Sequence, residues 1–371
     1  MKLTTDPQGI LKTIAAAQSL IMACHWFLDE WLYEYKKLPR PVDTGMLYHY
    51  TSIQTCCAIL ESDDLFLFDS RHCNDTQEYT HGRETVRAAF AEPPARPVFR
   101  RSDFPERSDF WLRYEYRKKN IDTVLDGLRR QYYLLNPDWH SYVFCLSGPR
   151  FPPAESEGDL YPQDNLSMWR GYSADGGGAC ILILEHQLRG IARAKGLMTV
   201  PVLYEEGRKD FLCRMLFRLI YDIYLFGRDA SQAHTTDNLH HFGIRLPIQD
   251  EDLMQIGAMA YWILPTFFKH PGFVDENETR LVYCPPLSPR ADKLAEYKGR
   301  EHSARPYVRL RRLVKPPTKG RLLPVVGITF GPNVSDQLYH DAFVGSAADR
   351  FAKRTRLEIS RSRLPYRRLA P

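Results

Sequence analysis

Met46-Leu47-Tyr48-His49-Tyr50-Thr51-Ser52, then Ala58-Ile59-Leu60-Glu61-Ser62 and Leu65-Phe66-Leu67-Phe68, is the stretch on which the fold turns. Residues 46–50 are apolar and aromatic, as a strand requires. Alternation puts Tyr48 and Tyr50 on one side of that strand and His49 on the other. Thr51 or Ser52 can cap a short helix over 53–61, because a hydroxyl there accepts from the helix's first free N–H groups. Residues 65–68 read as the next strand. His49 therefore sits at a strand end, just before a capped helix, where a ring nitrogen can face a cleft or be satisfied within the structure.

Working outward, further strands are expected at Tyr142–Leu146, Ala179–Leu184, Met198–Leu203, Glu278–Tyr283 and Leu323–Phe330. Helices are expected over 107–134 in pieces, 208–226, 250–264 and 333–343. Asn74-Asp75 suits the cap of a helix carrying Glu78, Tyr79 and Arg83. Residues 150–165 read as a surface loop, 285–320 as an extended basic connection, and Gly176-Gly177-Gly178 as a turn. The mixture gives an α+β fold, a mixed sheet core flanked by helices.

A long helix over 6–37 precedes it. Asp6 and Pro7 suit its start, and Pro39 and Pro41 lie beyond its end. Ile10, Ile14, Ala17, Ile21, Cys24, Leu28, Trp31 and Tyr35 recur at spacings of 4 and 3, a heptad-like seam. That seam over 10–35 can join a second copy or a partner helix, or pack on the chain's own body. The chain divides into this amphipathic helix and linker, 1–45, and a single α+β domain, 46–371.

The 371 residues are 44% apolar and 26% charged, which excludes disordered and fibrous classes. Eight cysteines without a C-x-x-C pair fit a reduced, cytoplasmic protein rather than a disulfide scaffold. No apolar run reaches the roughly 18 residues of a membrane span. The net charge is +5, but residues 286–371 hold 19 Lys/Arg against 7 Asp/Glu, which is +12, leaving −7 for the remainder. Such a basic end fits nucleic acid or another anion, or it is neutralised by the acidic body on folding.

Phosphate-loop, dinucleotide-fingerprint, nucleophile-elbow and H-E-x-x-H motifs are all missing from the sequence. His72-Cys73 and His240-His241 lack a second ligand pair at zinc spacing, so no metal site is expected.

The Leu47–Phe68 stretch resembles the first strand, helix and second strand of ADP-ribosyltransferases of the His-Tyr-Glu class: a Leu-x-His strand, a Ser or Thr, and an Ile-Leu helix leading to a second strand. A wider resemblance runs from about residue 46 to about 285. It is to a bacterial family known as domain of unknown function 2971. It rests on His49-Tyr50-Thr51, Asn74-Asp75-x-x-Glu78, Phe144-Cys145-Leu146-Ser147, Ser167-x-Trp169-x-x-Tyr172 and Glu276-x-Glu278-x-Arg280, in that order.

The transferase resemblance implies NAD as substrate. Cleaving its nicotinamide–ribose bond develops positive charge on the sugar, which a nearby carboxylate stabilises. Glu278 is the first candidate for that role and Glu276 its neighbour. Their Glu-x-Glu is also similar to the Arg-Ser-Glu transferase class, which would place an Arg where this chain has His49. By resemblance, His49, with Tyr50 and Thr51, would hold the ribose, and Tyr79 or Tyr172 would stack on nicotinamide. Arg170, beside Trp169, would clamp the pyrophosphate. Each of these residues also has a plain reading: core rings, helix caps, or Glu and Arg side chains in surface ion pairs. The functional expectation is an NAD-dependent ADP-ribosyltransferase, a toxin or antiviral effector acting on nucleic acid or protein. The alternatives are a non-enzymatic nucleic-acid or partner-binding protein, and a transferase-like core without chemistry.

Overall fold

The structure is a computed structural model that describes residues 7–29, 45–72, 78–91, 123, 126–130, 132, 141–148, 164–193, 197–226, 250–285, 294–298, 305–314 and 321–366. Its strands are β1 (Met46–Thr51), β2 (Phe66–Asp69), β3 (Tyr142–Ser147), β4 (Ala179–Leu184), β5 (Met198–Pro201), β6 (Glu278–Tyr283), β7 (Ala295–Lys298), β8 (Arg305–Arg309), β9 (Val325–Phe330) and β10 (Glu358–Arg361). They form one mixed sheet, ordered β10-β9-β4-β1-β3-β2-β8-β7, with β6 on β3 and β5 on β6. Only β10 against β9 is parallel among these pairs.

β3 is where the sheet divides. Along one edge it pairs with β6 at all six positions. On its other edge it meets β1 at one residue pair, Tyr48↔Ser147. It meets β2 there at two, Phe68↔Val143 and Asp69↔Tyr142. Phe144, Cys145 and Leu146 have no ladder partner on that edge among the described residues, so β1 and β2 part and the sheet opens between them. The helix α2 (Ile53–Ser62) connects the two diverging strands. Ser52 starts it, its Oγ accepting from Thr55 N–H at 3.1 Å. Asp63 ends it in a left-handed conformation, φ 49°. The Asp63 carboxylate then accepts from the backbone N–H groups of Leu322 and Leu323 at 2.7 and 3.0 Å, which offsets that conformation's cost and ties α2 to the chain entering β9.

Each sheet face packs on helices. One face turns Leu47, Phe144, Leu146, Ile181 and Ile183 toward α2, α5 (Glu185–Arg193) and α10 (Ala347–Thr355). The opposite face turns Val143, Met198, Val200 and Val282 toward α1 (Pro7–Asp29), α6 (Glu206–Phe226) and α7 (Asp250–Ile263). Burial on both faces hides strand alternation in β1 and β3, which read as nearly continuous apolar runs.

The α1 residues Ile14, Ala17, Ile21 and Cys24 are buried against α6 and α7, so this part of the seam packs on the chain's own body, one of the alternatives it left open. The side chains of Ile10, Leu28, Trp31 and Tyr35 lie outside the described residues. Residues 285–320 are not a plain connection: β7, β8 and the turn α8 (Leu310–Leu313) lie within them. Charges and Pro306 mask the pattern of β8, and its pairing with β2 forms it. Met198–Leu203 stops being strand at Pro201. Gly178 closes the turn before β4, where a Cβ would collide with the Thr51 carbonyl. No helix among the described residues is long and apolar enough to cross a membrane.

Candidate functional site

The opening beside β3 is a cleft of about 400 Å³. Its geometry starts from the strand that lacks neighbours. A divided sheet leaves backbone groups without ladder partners, and these need other partners. Cys145 supplies such a carbonyl, and His49 Nδ1 donates to it at 3.1 Å. The His49 ring lies 4.4 Å from the Phe144 ring. It keeps some surface open to the cleft. Its surroundings still hold the imidazole down to about 4, burial outweighing the bond to the Cys145 carbonyl. The ring is therefore neutral at physiological pH, with Nδ1 as donor and Nε2 as the remaining acceptor.

Directly opposed residues share a sheet face, so Tyr48, Ser147 and Glu278 form one row, and Cys145 with Arg280 the next. Beneath this face runs a chain of charges. Lys269 Nζ donates to Glu276 at 2.6 Å and to Glu278 at 2.8 Å. Arg280 donates to Glu278 through Nε at 2.7 Å and a second nitrogen at 3.1 Å, and to the Thr266 carbonyl at 2.5 Å. Glu278 N–H donates to the Tyr204 hydroxyl at 2.8 Å. Burial alone would raise the Glu278 carboxyl, but the Arg280 and Lys269 charges overcome it and bring it down to about 2. Burial and the Glu278 charge push the Tyr204 phenol up. These ion pairs are buried, not on the surface, and both Glu278 oxygens are committed.

Glu276 is placed differently. The strand does not extend back to it. It ends a 3₁₀ turn, Pro271–Glu276, and Asn277 then takes φ 42° before β6 begins. Its second oxygen accepts from the Tyr172 hydroxyl at 2.6 Å. Tyr172 ends α4 (Leu166–Tyr172), whose cap Asn165 accepts from Ser167 N–H at 3.1 Å and donates to the Asp275 carbonyl at 2.8 Å. Asn165 thus docks α4 on the turn that carries Glu276. Ser147 Oγ donates to the Glu276 carbonyl at 2.7 Å, pinning the same turn from β3.

Of the residues expected from sequence, His49, Tyr50, Thr51, Tyr172, Glu276 and Glu278 line this one cleft. His49 approaches from the face opposite Glu278, through the opening. Trp169 does not line it. Its ring is fully buried, edge-on to Tyr50 at 5.0 Å. Arg170 is exposed, lies 5.6 Å over the Tyr366 ring and is not among the residues that line the cleft. The Tyr79 side chain, Asn74-Asp75, Cys73 and His240-His241 lie outside the described residues. Among the described residues no group of three or more His, Cys, Asp and Glu could hold a metal ion. In the basic part, Arg309 pairs with Asp64, Arg312 with Glu296, Lys353 with Asp349 and Arg361 with Asp336, so part of its charge is balanced within the chain.

Sequence reasoning missed Lys269, Phe66, Phe68 and Arg305, all in the cleft wall. Lys269 carried a signal: a cation directly after the apolar Leu264-Pro265-Thr266-Phe267-Phe268 run is a buried cation in need of acids. The aromatic and Arg305 positions carried none, because their meeting depends on strand pairing.

A family described as a protein of unknown function (DUF2971) matches residues 168–281, from α4 to β6. The match takes in Tyr172, Lys269, Glu276, Glu278 and Arg280 and leaves out His49. No curated protein and no solved structure matches the chain.

Proposed function

We propose that the cleft binds NAD and that the protein transfers ADP-ribose from it to an acceptor. The observation that carries this reading is the opening in the sheet, with His49 on one side and the Tyr172–Glu276–Lys269 chain on the other. Its volume falls within the range of small-molecule sites, about 300–1,000 Å³. In the reaction the nicotinamide–ribose bond breaks and nicotinamide leaves with the bonding pair. Positive charge develops on the ribose, and an acceptor oxygen or nitrogen attacks the same carbon, releasing its proton to a base. Glu276 is the carboxylate for this charge, since it is held by one cation and the Tyr172 hydroxyl, whereas Glu278 is held by two cations. Glu278 anchors Lys269, which in turn positions Glu276. Neutral His49 holds a ribose hydroxyl through Nε2, and Tyr172 supplies the ring beside the reacting bond.

The test is cleavage of NAD labelled in the nicotinamide, with wild type, Glu276→Gln and His49→Ala. We expect release of nicotinamide by the wild type and a loss of at least about 100-fold in Glu276→Gln, in the range for removing one preorganised stabiliser of transition-state charge. His49→Ala should mainly raise KM. A wild type that neither cleaves nor binds NAD overturns the reading.

A further inference from the structure

The far end of the cleft, at β2 and β8, is built from side chains that the glycosyl chemistry above does not use. β2 buries Leu67 and Asp69 and leaves Phe66 and Phe68 half-exposed, both lining the cleft. Tyr307 of β8 backs them, stacked on Phe66 at 4.7 Å and tilted to Phe68 at 5.8 Å. Phe68 pairs with Val143 and Val143 with Val282, so these rings share the sheet face of Glu278 and Arg280. Arg305 lies two residues before Tyr307 on the same face of β8 and also lines the cleft. Its guanidinium is exposed and makes no hydrogen bond or ion pair among the described residues. Arg309, by contrast, is held by Asp64 at 2.8 Å.

Phe66 already carries Tyr307 and, at 5.6 Å, the Arg309 guanidinium against its ring, and the surface that Phe66 and Phe68 leave open to the cleft suits a further planar group. An exposed guanidinium in the same cleft wall, with no carboxylate partner among the described residues, fits an oxyanion bidentately. We propose that this corner is the subsite for the nucleoside diphosphate part of the dinucleotide, the adenine against Phe66 and Phe68 and the diphosphate on Arg305. The inference rests on the transferase reading for its ligand but on separate residues for its chemistry.

The experiment is calorimetric titration of the full chain with ADP and with adenosine. The wild type binds ADP more tightly than adenosine. Arg305→Gln, at an exposed position, weakens ADP about tenfold and leaves adenosine unchanged. Phe68→Leu weakens both, with its melting temperature as a check on folding and Phe66→Leu as the second ring variant. Absence of ADP binding, or an ADP affinity indifferent to Arg305→Gln, overturns the subsite. NAD cleavage together with that indifference removes the subsite and leaves the transferase reading standing. Arg305-dependent ADP binding without NAD cleavage or NAD binding does the reverse.

Discussion

Glu278 is 4% exposed, ionised, and held by two cations that are themselves buried. Burying charges is tolerable only when each is paired and hydrogen-bonded, and removing one partner leaves the other uncompensated. Arg280→Met therefore lowers stability by about 3–5 kcal/mol, read from denaturant unfolding. The pH dependence has a definite sign. The folded carboxyl titrates at about 2, below its ordinary unfolded value. Its contribution, on the order of 3 kcal/mol, is present above the unfolded value of about 4.3 and is lost as pH falls through 2. In Arg280→Met this acid limb flattens, because the largest charge that depresses the carboxyl is gone. An acid limb between pH 4.5 and 2 of equal steepness in both proteins would show that Arg280 does not set the Glu278 charge. This logic was only partly legible in sequence. Glu276-x-Glu278-x-Arg280 announces charges at a strand start. That they are buried follows from Lys269, brought in by an apolar turn nine residues before Glu278.

At the scale of elements, the cleft exists because β1 holds its six-residue pairing with β4 and gives up most of its pairing with β3. The β1 end is set by a close approach. Gly178 lies against the Thr51 carbonyl, and Ser173 Oγ donates to the same oxygen at 3.1 Å. A methyl group here must push the turn off β1. Gly178→Ala should thus destabilise by about 1–3 kcal/mol, as overpacking of a closed site does. It should also move the His49 and Phe144 resonances in a proton–carbon spectrum. Unchanged stability and unmoved resonances would mean that the turn does not fix the strand. The triple glycine reads from sequence as a turn, and so it is. Its role in setting the edge of the cleft required the neighbouring strand.

Across the whole molecule, the first and last described segments belong to the same packing as the centre. α1 contributes Ile14, Ala17, Leu20, Ile21 and Cys24 to the core shared with α6 and α7, and that core supports the face carrying Glu278. Removing residues 1–44 strips this cover from α6 and α7. The expected outcome is aggregation or a melting temperature lower by more than about 10 °C, since several fully buried side chains are uncovered, each worth about 1.5–3 kcal/mol. A monodisperse truncated chain with wild-type melting would make α1 an appendage. The amphipathic seam was plain in the sequence, but a seam specifies a buried face and not the surface that buries it.

Sequence by itself determined the local units: the β1–α2–β2 unit and its serine cap, the helices over 7–29, 206–226 and 250–263, and the strands β4 and β6. These follow from side-chain period, capping chemistry and turn residues, all of which act over a few positions. Only the tertiary structure decided that β1 and β2 share one edge of β3 and part there. It also decided that Lys269 reaches both acids, that Trp169 and Arg170 do not line the cleft, and that Arg305 lines it together with Phe68. Those facts depend on strand partners and register between segments up to more than two hundred residues apart. No short-range pattern encodes such pairings, because the free energy that selects them comes from burying both sheet faces at once.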